Sequence, residues 1–455
     1  MKKKLFCLAA ALTFGAGVAH AGCVDTFGIG AKAAAMGGAY SAYADDPFAV
    51  YYNPAGLTQI DRPTLAAGVH LIDPSIKLKN IYVEGAAANH PLAGFDLQAP
   101  NTPTFDNQAS VSDDAPLLIA PHLGFAMPIT DRIAFGVGVY APFGLEVEFP
   151  KDPAVNPLAR SSYHSYYNRK VINPTVAYKV NERLSLGFGV SVGMSESGAE
   201  VMRWVPNPAL GPNGGSYQHI KVELKDDVNY SFNLGVMYRP TDTVTLGLTY
   251  RSETDADFEG DVFENGRKVA KTTLDYNHPQ QVQAGVRYTP HDRVSLQMDM
   301  VWTEWSINQH QVEPLTHIAA GSLFDTYGIN EISSQRRWEN TRQLRFGGEF
   351  IVNDLLTLRA GYFYDPSPIP DRTLDTMWPD ADKKTYSFGA GFNIGQNMTI
   401  DTILQYTAIE QTRQVGGESV NLNKAFEVAG LNDPRVHARA DGHLLGAGIT
   451  FTYRF

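Results

Sequence analysis

Long stretches of this 455-residue chain alternate with a period of two, and the second face of the alternation is small and neutral. In LSLGFGVSVGM, Leu184 to Met194, one face carries Leu184, Leu186, Phe188, Val190, Val192 and Met194. The other carries Ser185, Gly187, Gly189, Ser191 and Gly193. Successive side chains point to opposite faces of a strand, so these are β-strands with one greasy side. TVTLGLTYR, RVSLQMDMVW, YSFGAGFNI and the final GAGITFTYRF repeat the pattern. A soluble sandwich buries its apolar face and wets the other with charges. A face of Gly, Ser, Thr and Asn suits a lumen instead, with the apolar face turned to lipid. The fold expected is all-β, a transmembrane antiparallel β-barrel.

The connections agree. Short turns fall at Thr130–Arg132, Val180–Arg183, Pro240–Thr243, Pro290–Arg293, Asn353–Leu355 and Gly395–Asn397. Between them lie mostly longer irregular pieces, near Asp73–Ala115, Pro150–Asn168, Pro206–Tyr217, His310–Gln335, Pro366–Lys383 and Gln411–Arg439. The short tip at Asn265–Arg267 is the exception. Alternating short and long connections are the habit of bacterial outer-membrane barrels. Counting segments predicts about fourteen strands, an even number that leaves both termini on the periplasmic side. Phe455, a terminal aromatic on an alternating strand, fits the same reading.

The N-terminus points to export. MKKKLFCLAAALTFGAGVAHAG has three lysines, an apolar run and the A-x-A order of a secretory signal, with cleavage expected after Ala21. Cys23 is expected to be an ordinary terminal residue rather than a lipidated one, because His20 stands where lipidation favours a leucine-like residue. No later segment has the roughly 18 consecutive apolar residues of a membrane helix. The net charge of −11 speaks against nucleic acid as a partner. The division expected is 1–21 signal peptide, 22–61 an N-terminal plug and 62–455 the barrel with its extracellular loops. A barrel of about fourteen strands is wider than the eight that side chains fill, and residues 22–61 precede the first strand.

Within that segment lies FGIGAKAAAMGGAYSAYADDPFAVYYNPAGL, Phe27 to Leu57. It resembles the hatch of the FadL/TodX-type channels for long-chain fatty acids and aromatic hydrocarbons. Gly30, Met36-Gly37-Gly38-Ala39, Ala42, Ala44-Asp45-Asp46 and Tyr52-Asn53-Pro54-Ala55-Gly56-Leu57 carry the resemblance, and Asn53-Pro54-Ala55 with Gly56 is its most specific part. The resemblance implies a fourteen-stranded barrel and passive uptake of an apolar solute from outside. It also implies a lumenal pocket, hatch movement and lateral exit through a wall gap near the third strand. Small residues let such a plug sit tightly and still shift. Asp45, Asp46 and Asn53 are expected to hydrogen-bond inward-pointing barrel groups.

Pro121, Pro142 and Pro174 fall in the strands expected second, third and fourth, with Phe143-Gly144 beside Pro142. Proline removes a ladder donor and belongs at edges or bulges, so these residues mark the expected wall kink. Arg251, Arg287, Asp299, Arg345, Glu349, Arg359 and Asp401 share the inward parity and are expected to form an ion ladder. Phe27, Phe48, Tyr140, Arg345 and Arg359 are the candidates for contact with ligand, the arginines as bidentate partners of a carboxylate. Aromatic hydrocarbons are the alternative substrate, and a lipid-modifying enzyme is a further one.

Two motifs mislead. GVSVG, Gly189–Gly193, matches G-x-S-x-G, but it alternates along a strand where a nucleophile elbow needs strand, turn and helix. GIGAKA, Gly28–Ala33, begins like a dinucleotide fingerprint with no strand before it. The histidines show no ligand spacing, so no cofactor and no metal are expected. Expected partners are the apolar solute, outer-membrane lipid and lipopolysaccharide, and the barrel assembly machinery, with the protein itself a monomer.

Overall fold

A computed structural model describes residues 28–84, 109–207, 209, 215–427 and 434–455. The expected signal segment, Cys23 and Phe27 lie outside the described residues, as do parts of the connections near 85–108, 210–214 and 428–433.

Strand β1 (Thr64–Glu84) opens the barrel. It is followed by β2 (Ala109–Ser112), β3 (Leu118–Pro128), β4 (Ile133–Glu148), β5 (His164–Asn181), β6 (Leu184–Pro206) and β7 (Gly215–Thr241). Next come β8 (Val244–Arg251), β9 (Thr254–Glu264), β10 (Arg267–His278), β11 (Gln281–His291), β12 (Val294–Thr303), β13 (His310–Thr316) and β14 (Glu331–Gln335). The last are β15 (Thr341–Ile351), β16 (Leu356–Asp365), β17 (Lys383–Ile394), β18 (Met398–Gly416) and β19 (Arg435–Arg454).

Five pairs of these segments continue one another across short interruptions: β2 with β3, β8 with β9, β10 with β11, β12 with β13, and β14 with β15. The nineteen segments therefore form a barrel of fourteen antiparallel staves. It closes where β1 pairs with β19, from Thr64 opposite Arg454 upward. The Phe455 backbone N–H donates to the Pro63 carbonyl at the seam.

The period-two pattern lands as expected. Phe188, Leu248, Met298, Phe388, Leu404 and Phe451 stand exposed on the outside, as a lipid-facing band requires. Ser191, Thr249, Gln283, Asp299, Glu349 and Asp401 point inward and are buried. Each expected short turn joins two strands at one end, and Asn265-Gly266, both at positive φ, makes a tight hairpin at the other.

The strands run further outward than the sequence pattern indicates. β6 has 23 residues and β7 has 27, where 9–11 suffice to cross a bilayer. Much of what reads as irregular connection is strand: β1 extends to Glu84, β5 starts at His164, and β13 and β14 lie inside 310–335. Outside the membrane the outer face is polar, so the contrast between faces that marks a strand fades. Helices α3 (Leu323–Thr326) and α4 (Val420–Phe426) roof this upper part.

Candidate functional site

Residues 28–61 sit inside the barrel. Helix α1 (Ala31–Ala35) is short and alanine-rich, and Gly37 and Gly38, at φ 63° and 70°, turn the chain after it. Helix α2 (Ala49–Tyr52) follows a turn in which the Asp46 carboxylate accepts the Phe48 N–H. Pro54 starts a 3-10 turn, Pro54–Gln59, and the Asn53 side chain accepts the Ala55 N–H at its head.

The barrel floor is shaped for this segment. A Cβ added at Gly187 would run into the Pro54 backbone, and one at Gly247 into the Ser41 backbone. The inward glycines of the alternation are thus a bed for the segment's main chain.

Polar groups then pin it around the ring. Asn53 Nδ2 donates to the carbonyls of Ser41 at 2.6 Å and of Val236 on β7 at 3.0 Å. Asn233 donates to Val50 O, Arg251 to Tyr51 O, and Asp299 accepts the Ser41 N–H. Tyr43 O–H donates to Glu349, and Arg287 stands 3.7 Å over the Tyr43 ring. The inward charges expected as an ion ladder include one: Arg359 lies between Glu349 at 2.7 Å and Asp401 at 2.6 Å. Arg359 is therefore saturated by two carboxylates, which corrects its expected role at a ligand headgroup. Arg345 donates to Gln343 at 2.6 Å and reaches Gly38 O at 3.5 Å, so its guanidinium too faces the plug.

The aspartate pair behaves differently from expectation. Asp45 takes Lys32 Nζ at 2.7 Å and the Tyr40 hydroxyl at 2.7 Å; Asp46 takes the Tyr40 hydroxyl and the Phe48 N–H. All these donors belong to the plug itself, so the pair braces it internally rather than tying it to the wall. Burial works against ionisation of Asp45, but the Lys32 ammonium holds its carboxyl below the usual range. Burial, then the neighbouring Asp45 charge, pushes Asp46 up to about 7.

The wall itself is interrupted. The β3–β4 ladder ends at Leu123 opposite Val139. That register sets Pro121 level with Ala141, one residue from Pro142. Above this point β3 pairs with β1, Pro121 opposite Val69, and β4 pairs with β5. The β4–β5 register slips between Tyr140 and Phe143, a bulge at Ala141-Pro142. Among the described residues the two sides meet again at the top, where Asp114 N–H donates to Glu148 O at 2.7 Å and Glu148 N–H to the Asp113 carboxylate at 2.9 Å. A gap results between β3 and β4. Pro174 takes no part in it: opposite Val137 it sits within the β4–β5 ladder, and the β5–β6 register is the same on either side of it. Gly144 is buried beside Phe143.

Above the plug the extended strands and their roof enclose a cavity of about 630 Å³, lined by Tyr167, Trp204, Phe258, Tyr276, Phe324 and Trp378 among others. From it a file of rings runs to the gap: Trp378 to Tyr167 at 6.2 Å, Tyr167 to His278 at 6.0 Å, and His278 edge-on to Phe143. Below the bulge, Tyr140 meets Tyr51 of the plug at 5.4 Å, and Phe48 meets His122 at 5.1 Å. Phe48 and Tyr140 thus pack plug against wall.

Among the polar residues that line the cavity, which include Arg203, Arg160 is fully buried. Its Nε and Nη2 donate to the Tyr217 hydroxyl, and Trp204, Tyr217 and Phe426 surround its guanidinium at 5.1–5.9 Å. Its Nη1 has no hydrogen-bond partner among the described residues. Two acids of the lining are engaged elsewhere: Asp375 with Arg336 at 2.6 Å, Glu313 with Gln311 at 2.7 Å. Sequence reading misses Arg160, because it lies in a connection without period. The signal was the placing of tryptophans Trp204, Trp305, Trp338 and Trp378 near or beyond strand ends, where a water-facing loop has no use for them. Ser191 of the G-x-S-x-G match lies mid-strand in β6 and accepts from Asn173 Nδ2 at 2.5 Å.

A family model described as outer membrane protein transport protein (OMPP1/FadL/TodX) matches residues 9–455. The long-chain fatty acid transport protein of Salmonella typhi is 25% identical over 422 residues, 86% of each chain. Outer membrane protein P1 of Haemophilus influenzae is 26% identical over 428 residues, 87% of each. Among solved structures, a Pseudomonas aeruginosa FadL homologue superposes with a TM-score of 0.76 at 22% identity, covering 96% of this chain and 100% of that one. The P. putida toluene transporter TodX does so at 0.67 and 16% identity, covering 95% and 99%. These two likenesses show the fold.

Proposed function

The chain belongs to the OMPP1/FadL/TodX family of outer membrane transport proteins, and on that premise we propose that it is a passive uptake channel for long-chain fatty acids. The observation that carries the substrate is Arg160. A buried guanidinium with an unpartnered N–H is costly unless an anion joins it, and this one borders an apolar cavity within the roughly 300–1,000 Å³ of small-molecule sites. A carboxylate at Arg160 with its alkyl chain among Tyr167, Tyr276 and Trp378 satisfies both. The route follows the rings from the cavity to Phe143 and leaves between β3 and β4 into lipid. Shifting of the plug, braced by the Asp45–Lys32 pair and pinned by Asn53, opens the way.

Aromatic lining also favours a second reading, uptake of small aromatic hydrocarbons, which would stack on the same rings and ignore Arg160. The discriminating experiment is uptake of radiolabelled oleate and toluene by a strain lacking its own fatty-acid channel. Oleate uptake is expected to be rescued, and to fall at least about tenfold with Arg160→Met, since a charge-assisted pair is lost. Toluene uptake that survives Arg160→Met, with no oleate rescue by either form, would establish the second reading instead.

A further inference from the structure

The outer tip of β4 carries two carboxylates at i and i+2. Glu146 and Glu148 share the face opposite Val147, which is buried in the apolar core of the upper barrel. Glu148 lies directly opposite His164, the first residue of β5. One ligand atom from each of Glu146, Glu148 and His164 lies within 4.8 Å of the other two. All three stand on paired strands, so their spacing is fixed by the ladder.

The imidazole is held from behind. His164 Nδ1 faces Glu200 Oε1 at 3.3 Å, and its Nε2 faces Glu146 Oε1 at 2.6 Å. Glu200 is itself held by His219 Nε2 at 2.7 Å, by the Tyr163 hydroxyl and by Lys221 at 3.7 Å. A carboxylate on the far nitrogen is the arrangement that orients metal-binding histidines and raises their basicity. To meet both carboxylates without a metal, the ring must carry a proton on each nitrogen. The Nε2 proton then stands between His164 and Glu146 where a cation would bridge them.

We propose that Glu146, Glu148 and His164 bind a divalent transition-metal ion, zinc by preference, at the upper edge of the wall gap. One imidazole and two carboxylates suit zinc or manganese, whereas calcium and magnesium favour oxygen-only sets. Three protein ligands leave a position for water. The ion takes the place of the Nε2 proton, so binding releases about one proton and tightens as pH rises. Asp113, whose carboxylate accepts the Glu148 N–H, is the further acid facing this tip. The same Glu148 main chain closes the top of the gap through Asp113 and Asp114, so the metal braces the gap's frame. This site does not depend on which solute the channel carries.

The test uses the full chain purified in detergent and stripped with a chelator, titrated calorimetrically with zinc chloride and, separately, calcium chloride. One zinc ion per chain is expected, bound far more tightly than calcium. His164→Gln and Glu148→Gln are each expected to weaken it at least about tenfold, and Glu200→Gln, a positioning residue, by about 10–100-fold. Zinc-edge absorption should show one nitrogen and two protein oxygens at about 2.0–2.2 Å. Absence of zinc binding, or affinity and spectrum unchanged in His164→Gln, would overturn the proposal. Should His164→Gln not assemble, judged by heat-modifiable gel migration, the exposed Glu148→Gln carries the test on the same terms.

Discussion

Asp46 and Asp45 are neighbours with opposite electrostatics. Asp45 bonds the Lys32 ammonium directly; Asp46 bonds Tyr40 and the Phe48 N–H and stands beside the charge of Asp45. With its carboxyl at about 7 when docked and near 3.8 when released, Asp46 binds a proton over that window only in the docked plug. Its contribution to docking is therefore full below about pH 4 and lost as pH rises towards 7. Asp45, depressed, acts the other way and only as pH falls below its ordinary value. Hydrogen exchange of amides in 28–61 should thus speed up between pH 4 and 7 beyond its intrinsic trend, and Asp46→Asn should flatten that excess. An unchanged pH profile in the variant would refute the assignment. Asn53→Ala removes donors to Ser41 and Val236 and a turn-heading acceptor. It should loosen the plug by about 2 kcal/mol, read as faster exchange in the same amides with barrel assembly intact.

At the scale of strands, two prolines one residue out of level with each other leave β3 and β4 unzipped above Leu123 and Val139. Restoring N–H donors with Pro121→Thr and Pro142→Thr should let the ladder climb. Oleate uptake should then fall about tenfold or more while the folded barrel accumulates normally; full uptake by the double variant would remove the gap from the route. The prolines were readable because a ladder cannot use them, and Pro174 misled because proline also sits in a wall that tolerates one missing bond. The inward glycines read as lining for a wet lumen. Their use as a bed for backbone appears only when Pro54 and Ser41 are seen against Gly187 and Gly247. Gly247→Val should accordingly displace the plug more than any loss of strand propensity explains, read again by exchange of its amides.

For the molecule as a whole, fourteen staves enclose a width that residues 28–61 occupy with short helices and a dense set of bonds to the wall. Removing residues 22–61 should leave a barrel that assembles yet leaks. Single-channel recordings should show a steady polar conductance, absent in the intact protein, and a tight deleted barrel would deny the segment its role as plug.

Local rules determined much of this protein. Period two with a small, neutral inner face specified a lipid-facing barrel and turn residues set its periplasmic hairpins, because each depends on near neighbours in the chain; the Asn53-Pro54-Ala55 stretch pointed to a plug through its resemblance to the hatch of FadL/TodX-type channels. The tertiary structure alone decided the rest. Arg160, Tyr167, Tyr276 and Trp378 form one cavity, and Glu146, Glu148, His164 and Glu200 one cluster, only once strands distant in sequence stand side by side above the membrane. There both faces meet water or each other, the two-residue contrast vanishes, and partners are chosen by the closure of the barrel.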